Sequence, residues 1–158
     1  MLRLDGLETI DGGAAAPGTL LLSGWRSSRM AYFVVTLNGQ PALLPLANMG
    51  DRPFTVVPVA PGIGTFMAVH GAQLAVDIEK MQTSSESDVR PGMAFVAGTE
   101  AGLIARLNYG TVFIRHDGTV LPSFDWSTAM VFEGWRFEVE DTEGKQAVLV
   151  DSRLGLRY

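Results

Sequence analysis

The sequence predicts an all-β domain, on three observations. Its apolar residues fall in short runs rich in β-branched and aromatic types. Turn formers separate those runs, and the chain carries 18 Gly and 8 Pro. No window sustains a helical apolar period long enough to compete with them. In chain order the predicted strands are Thr19–Ser23, Tyr32–Leu37, Ala42–Leu46, Phe54–Val59, Thr65–His70 and Gln73–Asp77. Then come Ala94–Ala97, Leu103–Leu107, Thr111–His116, Thr119–Phe124, Arg136–Glu140 and Ala147–Asp151, with Leu7–Ile10 as an additional strand. Asn38-Gly39, Asp117-Gly118 and Glu143-Gly144 fall between paired runs, where hairpin turns need residues that accept positive φ. Asp77–Asp88 is polar and predicts a loop, with Thr83–Asp88 its most polar part.

Composition narrows the class. At 158 residues the chain is expected to form a single domain, residues 1–158. A hydrophobic content of 47% against 18% charged residues excludes a disordered chain. With no Cys there is no disulfide scaffold, no Cys-ligated zinc or iron–sulfur cluster, and no thiol chemistry. A net charge of −5 argues against a nucleic-acid partner. The charge-free stretch Pro53–Val76 contains Pro53, Pro58, Pro61, Gly62, Gly64 and Gly71, which does not suit a spanning helix, so no membrane partner is expected. Residues 1–6 lack the apolar core of a secretory signal, and a cytoplasmic location is the default expectation, with secretion the alternative for a trimmed chain.

An internal repeat suggests the architecture. Gly18-Thr19, Gly64-Thr65 and Gly110-Thr111 recur at equal steps, each opening a run. Strands of one kind follow: Tyr32–Thr36, Phe66–His70 and Val112–His116. Turns containing Gly39, Gly71 and Gly118 come next, and later aromatic strands begin near Phe54, Phe95 and Phe137. Three repeats of about four short strands, with a period near 40, predict a β-trefoil. Residues 31–152 would form the repeat core, and residues 1–30 would supply strands closing the barrel. A two-sheet β-sandwich is the alternative.

Leu107-Asn108-Tyr109-Gly110-Thr111-Val112-Phe113-Ile114-Arg115-His116, followed by Val120-x-Pro122 and by Trp135-Arg136-Phe137-x-Val139, resembles one repeat of the arabinofuranose-binding β-trefoil domains. Fascin-like trefoils share the same strand pattern. The resemblance implies sugar pockets, each lined by a His after the first strand and an Asp three residues before the Phe. Those positions carry Thr36, His70 and His116 for the His, and Asp51, Gly92 and Gly134 for the Asp. No repeat holds both, so the resemblance implies pockets that depart from the family's pattern. The Gln-x-Trp signature of ricin-type trefoils is absent.

Five residues are candidate ligand contacts: His70, His116, Asp51, Asp125 and Trp126. An aromatic ring beside a carboxylate, as in Asp125-Trp126, can stack on a sugar face while the carboxylate takes its hydroxyls. A loop Trp folded back on the barrel is the plain alternative, and Trp25 is equally ambiguous. The two His residues can equally well be strand ends satisfied by their own turns. Trp135 and Phe137 alternate on a predicted strand and are expected in the core. The acidic run Glu138, Glu140, Asp141 and Glu143 predicts the solvated side of a hairpin. No metal site and no cofactor are predicted, and no nucleophile elbow, zincin or phosphate-loop motif is present.

The expected function is a non-catalytic recognition module that binds a saccharide or a similar small polar ligand. A protein–protein interaction module with degenerate pockets is the alternative. An enzyme with a dispersed carboxylate site is the third reading.

Overall fold

A computed structural model describes residues 7–24, 29–46, 54–60, 62–83, 89–121, 123, 128–152 and 155–156. The described residues form sixteen strands and two short 3₁₀ turns. The strands are β1 (Leu7–Asp11), β2 (Leu20–Ser23), β3 (Met30–Leu37), β4 (Gln40–Pro45), β5 (Val57–Pro58), β6 (Thr65–Val69), β7 (Gln73–Val76) and β8 (Met81–Thr83). They continue with β9 (Ala94–Ala97), β10 (Glu100–Leu107), β11 (Gly110–Arg115), β12 (Val120–Leu121), β13 (Ala129–Phe132), β14 (Trp135–Glu140), β15 (Gln146–Asp151) and β16 (Gly155–Leu156).

All the named sheets are antiparallel, so the all-β expectation holds, and the layout is compatible with a β-sandwich. One six-stranded sheet runs β1-β6-β2-β3-β4-β5 and a second runs β12-β11-β10-β9-β13-β8. The third runs β16-β15-β14-β7 and joins the two halves through the β7–β14 pair.

The trefoil is not confirmed, because the hydrogen-bonded frame repeats twice rather than three times. Strands β1 to β7 correspond in order and pairing to β8 to β14. Leu22 pairs with both Ala31 and Met67, and Val96 pairs with both Ala101 and Met130. Phe33 opposes Leu44 as Leu103 opposes Ile114. The turns repeat too. Gly18 N–H donates to Val34 O and Gly92 N–H to Ile104 O, both at 2.8 Å. Leu46 N–H donates to Ala31 O and His116 N–H to Ala101 O, both at 2.9 Å. On this correspondence Leu74 of β7 matches Phe137 of β14, and these two residues pair with each other. A pseudo-twofold axis therefore passes through the Leu74–Phe137 pair.

The halves also exchange contacts. Thr36 in the first half makes a parallel bridge with Thr119 in the second, and Arg106 in the second makes one with Thr55 in the first. At this crossing Gly118 has a φ of +84° and Phe54 stands at the matching place with a φ of +52°. A Cβ on Gly118 would meet Gly18 N at 2.5 Å and Val34 O at 2.6 Å, so close backbone contact explains the glycine.

Three cores follow from this frame. Leu21, Val34, Leu43, Phe66 and Ala68 pack on one face of the first sheet. Phe95, Ile104, Phe113 and Val131 pack on the matching face of the second. The other faces share a larger core that includes Leu20, Phe33, Leu44, Leu103, Ile114, Phe132, Trp135 and Phe137. Central strands are thus buried on both faces, which is why Leu20-Leu21-Leu22 and Ala42-Leu43-Leu44 are unbroken apolar runs. Strand β14, covered on one face only, alternates Trp135, Phe137 and Val139 inward with Arg136 and Glu140 outward.

Several expected elements differ. The predicted strand over Phe54–Val59 contracts to Val57–Pro58, with Thr55 in an isolated bridge. The Asp77–Asp88 loop contains a 3₁₀ turn at Ile78–Lys80 and strand β8. β8 forms because its backbone pairs with β13, not because its residues favour a strand. Strand β13 was hidden in a segment with no turn signal of its own. The hairpin turns are as expected, with positive φ at Asn38, Gly39, Gly118 and Gly144.

Candidate functional site

A cavity of about 310 Å³ opens beside the pseudo-twofold axis. Phe33, Leu74, Leu103, Ile114 and Phe137 form its apolar floor. Phe33 and Phe137 stack with ring centroids 5.4 Å apart, and Phe33, Leu103, Ile114 and Phe137 are all buried. Strands β3, β10, β11, β7 and β14 each contribute at least one of these side chains.

The space lies where the two halves differ at matched positions. Beyond the Gly71 and Gly134 turns the first half continues with Ala72 and the second with Trp135. The Trp135 ring packs edge-on against Phe54 and Phe137, with centroids 5.9 and 6.0 Å away. Its Nε1–H donates to Gly92 O at 2.8 Å. Ala72 has nothing to place there, and it lines the cavity instead. Gly102, matched by Tyr32, also keeps a wall thin. A Cβ on Gly102 would lie 1.7 Å from Ile114 O, so strands β10 and β11 can close only around a glycine.

Gln73, Arg115 and His116 supply the polar groups of the lining. Gln73 and His116 are exposed, and each can donate and accept. Arg115 is not a free cation. Its Nε lies 2.5 Å from Glu100 Oε2, and its Nη2 lies 3.7 Å from Asp117 Oδ2. Burial alone would raise the Asp117 pKa. The Thr119 amide and hydroxyl, which donate to the carboxylate, together with Arg115 and His116, outweigh that and hold it below the ordinary carboxylate value. One arginine facing two carboxylates leaves the mouth without a surplus positive charge.

The structure separates the residues predicted as ligand contacts. His116 directly follows β11 and lines the cavity. His70 directly follows β6 elsewhere, with Nε2 3.2 Å from Glu8 Oε2, as a surface contact. The two are not matched positions: His70 corresponds to Glu133 and His116 to Leu46. Asp51, Asp125 and Trp126 lie outside the described residues, as does Trp25. Trp135 is core, as its alternation predicts. The acidic run is engaged locally. Asp141 Oδ1 accepts from the Glu143 and Lys145 amides, both at 2.9 Å. The Lys145 amide first of all, then the Glu143 amide and the Lys145 charge, outweigh desolvation and hold the Asp141 pKa low.

Reading single motifs missed Ala72, Gln73, Leu74, Gly102 and Phe137 as cavity residues. A signal was available in the twofold repeat itself: Pro17-Gly18 with Pro91-Gly92, Leu37-Asn38 with Leu107-Asn108, and Gly71 with Gly134. Aligned on those pairs, Ala72 falls opposite Trp135. Comparison with protein-family models, curated proteins and solved structures finds no match.

Proposed function

We propose that the protein is a non-catalytic recognition module whose cavity binds a small, neutral, hydroxyl-rich ring, a saccharide or a similar polyol. One observation carries the reading: an apolar floor of about 310 Å³ meets a rim of groups that both donate and accept, with its arginine already engaged by carboxylates. A ring of this kind has an apolar face for Phe33, Phe137 and Leu103. Its hydroxyls satisfy Gln73 and His116, which need no net charge in the ligand. The volume lies at the lower end of the range for small-molecule sites. This recognition does not require the three-repeat trefoil, which stands only as the architecture the family resemblance implies.

Calorimetric titration with neutral arabino- and xylo-oligosaccharides tests this. Ala72→Trp should abolish binding by filling the cavity as Trp135 fills the matched place. His116→Ala should weaken binding by about tenfold, the cost of one hydrogen bond to a polar rim group. Binding that survives both substitutions would place the ligand elsewhere.

A second reading is a protein–protein interaction module. Leu7 on β1 and Met67 on β6 are exposed, and so are their counterparts Met81 on β8 and Met130 on β13. Two matched apolar patches at the outer strands of two sheets favour this reading. A polar substitution at Met67 and Met130 that blocks capture of a partner without altering saccharide titrations would support it.

A further inference from the structure

We propose that Arg106, Tyr109, Asn108 and Thr55 form a second binding site, one that takes a planar ring bearing an oxyanion. These residues line a cavity of about 230 Å³ at the Thr55–Arg106 bridge between the halves. The site is separate from the first cavity and shares no lining residue with it.

Tyr109 carries the first part of the argument. It is the most exposed large side chain among the described hydrophobics, fully open to solvent at the tip of the β10–β11 hairpin. Core packing therefore does not account for it. Turn geometry does not account for it either. The matched hairpin uses Asn38-Gly39, with φ of +51° and +75°, the pair that a two-residue loop favours. In Asn108-Tyr109 only Asn108 has positive φ, at +54°, and Gly is the usual residue there. A ring fully open to solvent at a hairpin tip offers a free face for stacking.

The charge comes from Arg106. Its matched residue in the first half is Thr36, so the second half alone has a cation here. Arg106 is exposed, and among the described residues no carboxylate forms an ion pair with it. A guanidinium presents a planar fork that fits two oxygens of a carboxylate or phosphate. The Asn108 amide adds donors at the same rim.

Thr55 supplies an independent observation. Its Oγ1 is buried and has no hydrogen-bond partner. A buried hydroxyl without a partner is uncommon and costs stability. The matched Thr119 is satisfied, because its hydroxyl donates to Asp117. Two residues before Thr55 the sequence has Pro53 where the other half has Asp117, and proline offers no side-chain acceptor. Thr55 lines the same cavity as Arg106, so an oxyanion bound there is the acceptor the proposal assigns to its hydroxyl. The second half has thus gained a cation and a ring at this crossing, while the first has lost the acceptor that would satisfy the hydroxyl.

The test is a titration of the full-length, ¹⁵N-labelled chain with phenyl phosphate, benzoate, phenol and inorganic phosphate. Shifts of the Arg106, Asn108 and Tyr109 amides are followed. Phenyl phosphate or benzoate should saturate these shifts with a Kd of about 1 mM or tighter. The preference between them distinguishes a phosphate-bearing from a carboxylate-bearing ligand. Arg106→Gln should weaken binding by about tenfold or more. Tyr109→Gly rebuilds the turn of the matched hairpin and so keeps the fold. It should weaken phenyl phosphate several-fold and leave inorganic phosphate unchanged. Equal binding of phenol would overturn the oxyanion, and unchanged affinity in Arg106→Gln would overturn the site. So would the absence of saturable shifts with both anions, or shifts confined to the cavity of Gln73 and His116.

Discussion

The two halves of the chain share one backbone frame and differ in what fills it. Beside the axis the second half places Trp135, and the first half places Ala72 and leaves a cavity. At the crossing the second half satisfies Thr119 with Asp117, and the first leaves Thr55 without a partner. At the hairpin tips the first half uses Asn38-Gly39 and the second uses Asn108-Tyr109. In each case the hydrogen-bonded ladder is kept while a side chain changes. The ladder fixes the fold, and the departures from symmetry fall at the two proposed binding sites. The three departures leave a cavity, an unsatisfied hydroxyl and an exposed ring.

The comparison can be broken at Trp135. Trp135→Ala should cost about 3–5 kcal/mol in chemical denaturation, because it removes a buried ring and leaves a second cavity. The same variant should then admit small apolar ligands at the matched place. A loss well below this range would mean that Phe54 and Phe137 close over the space, and that the asymmetry between Ala72 and Trp135 is not what holds the first cavity open.

Gly102→Ala is expected to cost about 3 kcal/mol, since its Cβ would lie 1.7 Å from Ile114 O and strands β10 and β11 would have to part. The matched Tyr32→Ala should cost less, as it removes half-buried atoms without moving backbone. If the order reverses, the tight approach of β10 and β11 is not what shapes the cavity wall. The two measurements together separate cavity shape from core loss.

A smaller effect concerns pH. The Asp117 pKa is depressed in the folded chain, so its contribution is present above the unfolded value of about 3.8 and is lost as pH falls through the lower folded one. Asp117→Asn should flatten the stability profile below about pH 4 without abolishing its slope, because Asp141 is depressed as well. A profile unchanged from the parent would show that Thr119 is satisfied by other means, and the contrast with Thr55 would weaken.

Much of the secondary structure was legible in the sequence. The hairpin turns at Asn38-Gly39, Asp117-Gly118 and Glu143-Gly144 fall where positive φ is required, and short β-branched runs mark most of the strands. The order of the repeat was not legible from single motifs. Gly-Thr pairs and aromatic strand starts recur for reasons of turn and strand chemistry, so they count strands rather than units. Pairing partners such as Leu74 with Phe137 lie far apart in sequence, and no local pattern states them. The cavity was hidden for a related reason. It is made by Ala72 and Gly102, residues whose contribution is to be small, and smallness has meaning only beside the residue that fills the matched position. His116 was legible because it carries its own chemistry, and His70 was equally legible but is elsewhere.

The antiparallel β7–β14 pair has a consequence for how the two halves meet. Its central rung joins Leu74 to its own counterpart Phe137, the arrangement of a self-complementary dimer contact in which one surface meets a copy of itself. The crossed bridges at Thr36–Thr119 and Thr55–Arg106 exchange segments between the halves as domain-swapped protomers do. The two halves therefore meet within one chain as the protomers of a twofold dimer meet. Because a single chain supplies both halves, matched positions need not carry the same residue, and Trp135 fills one place while Ala72 leaves its counterpart open.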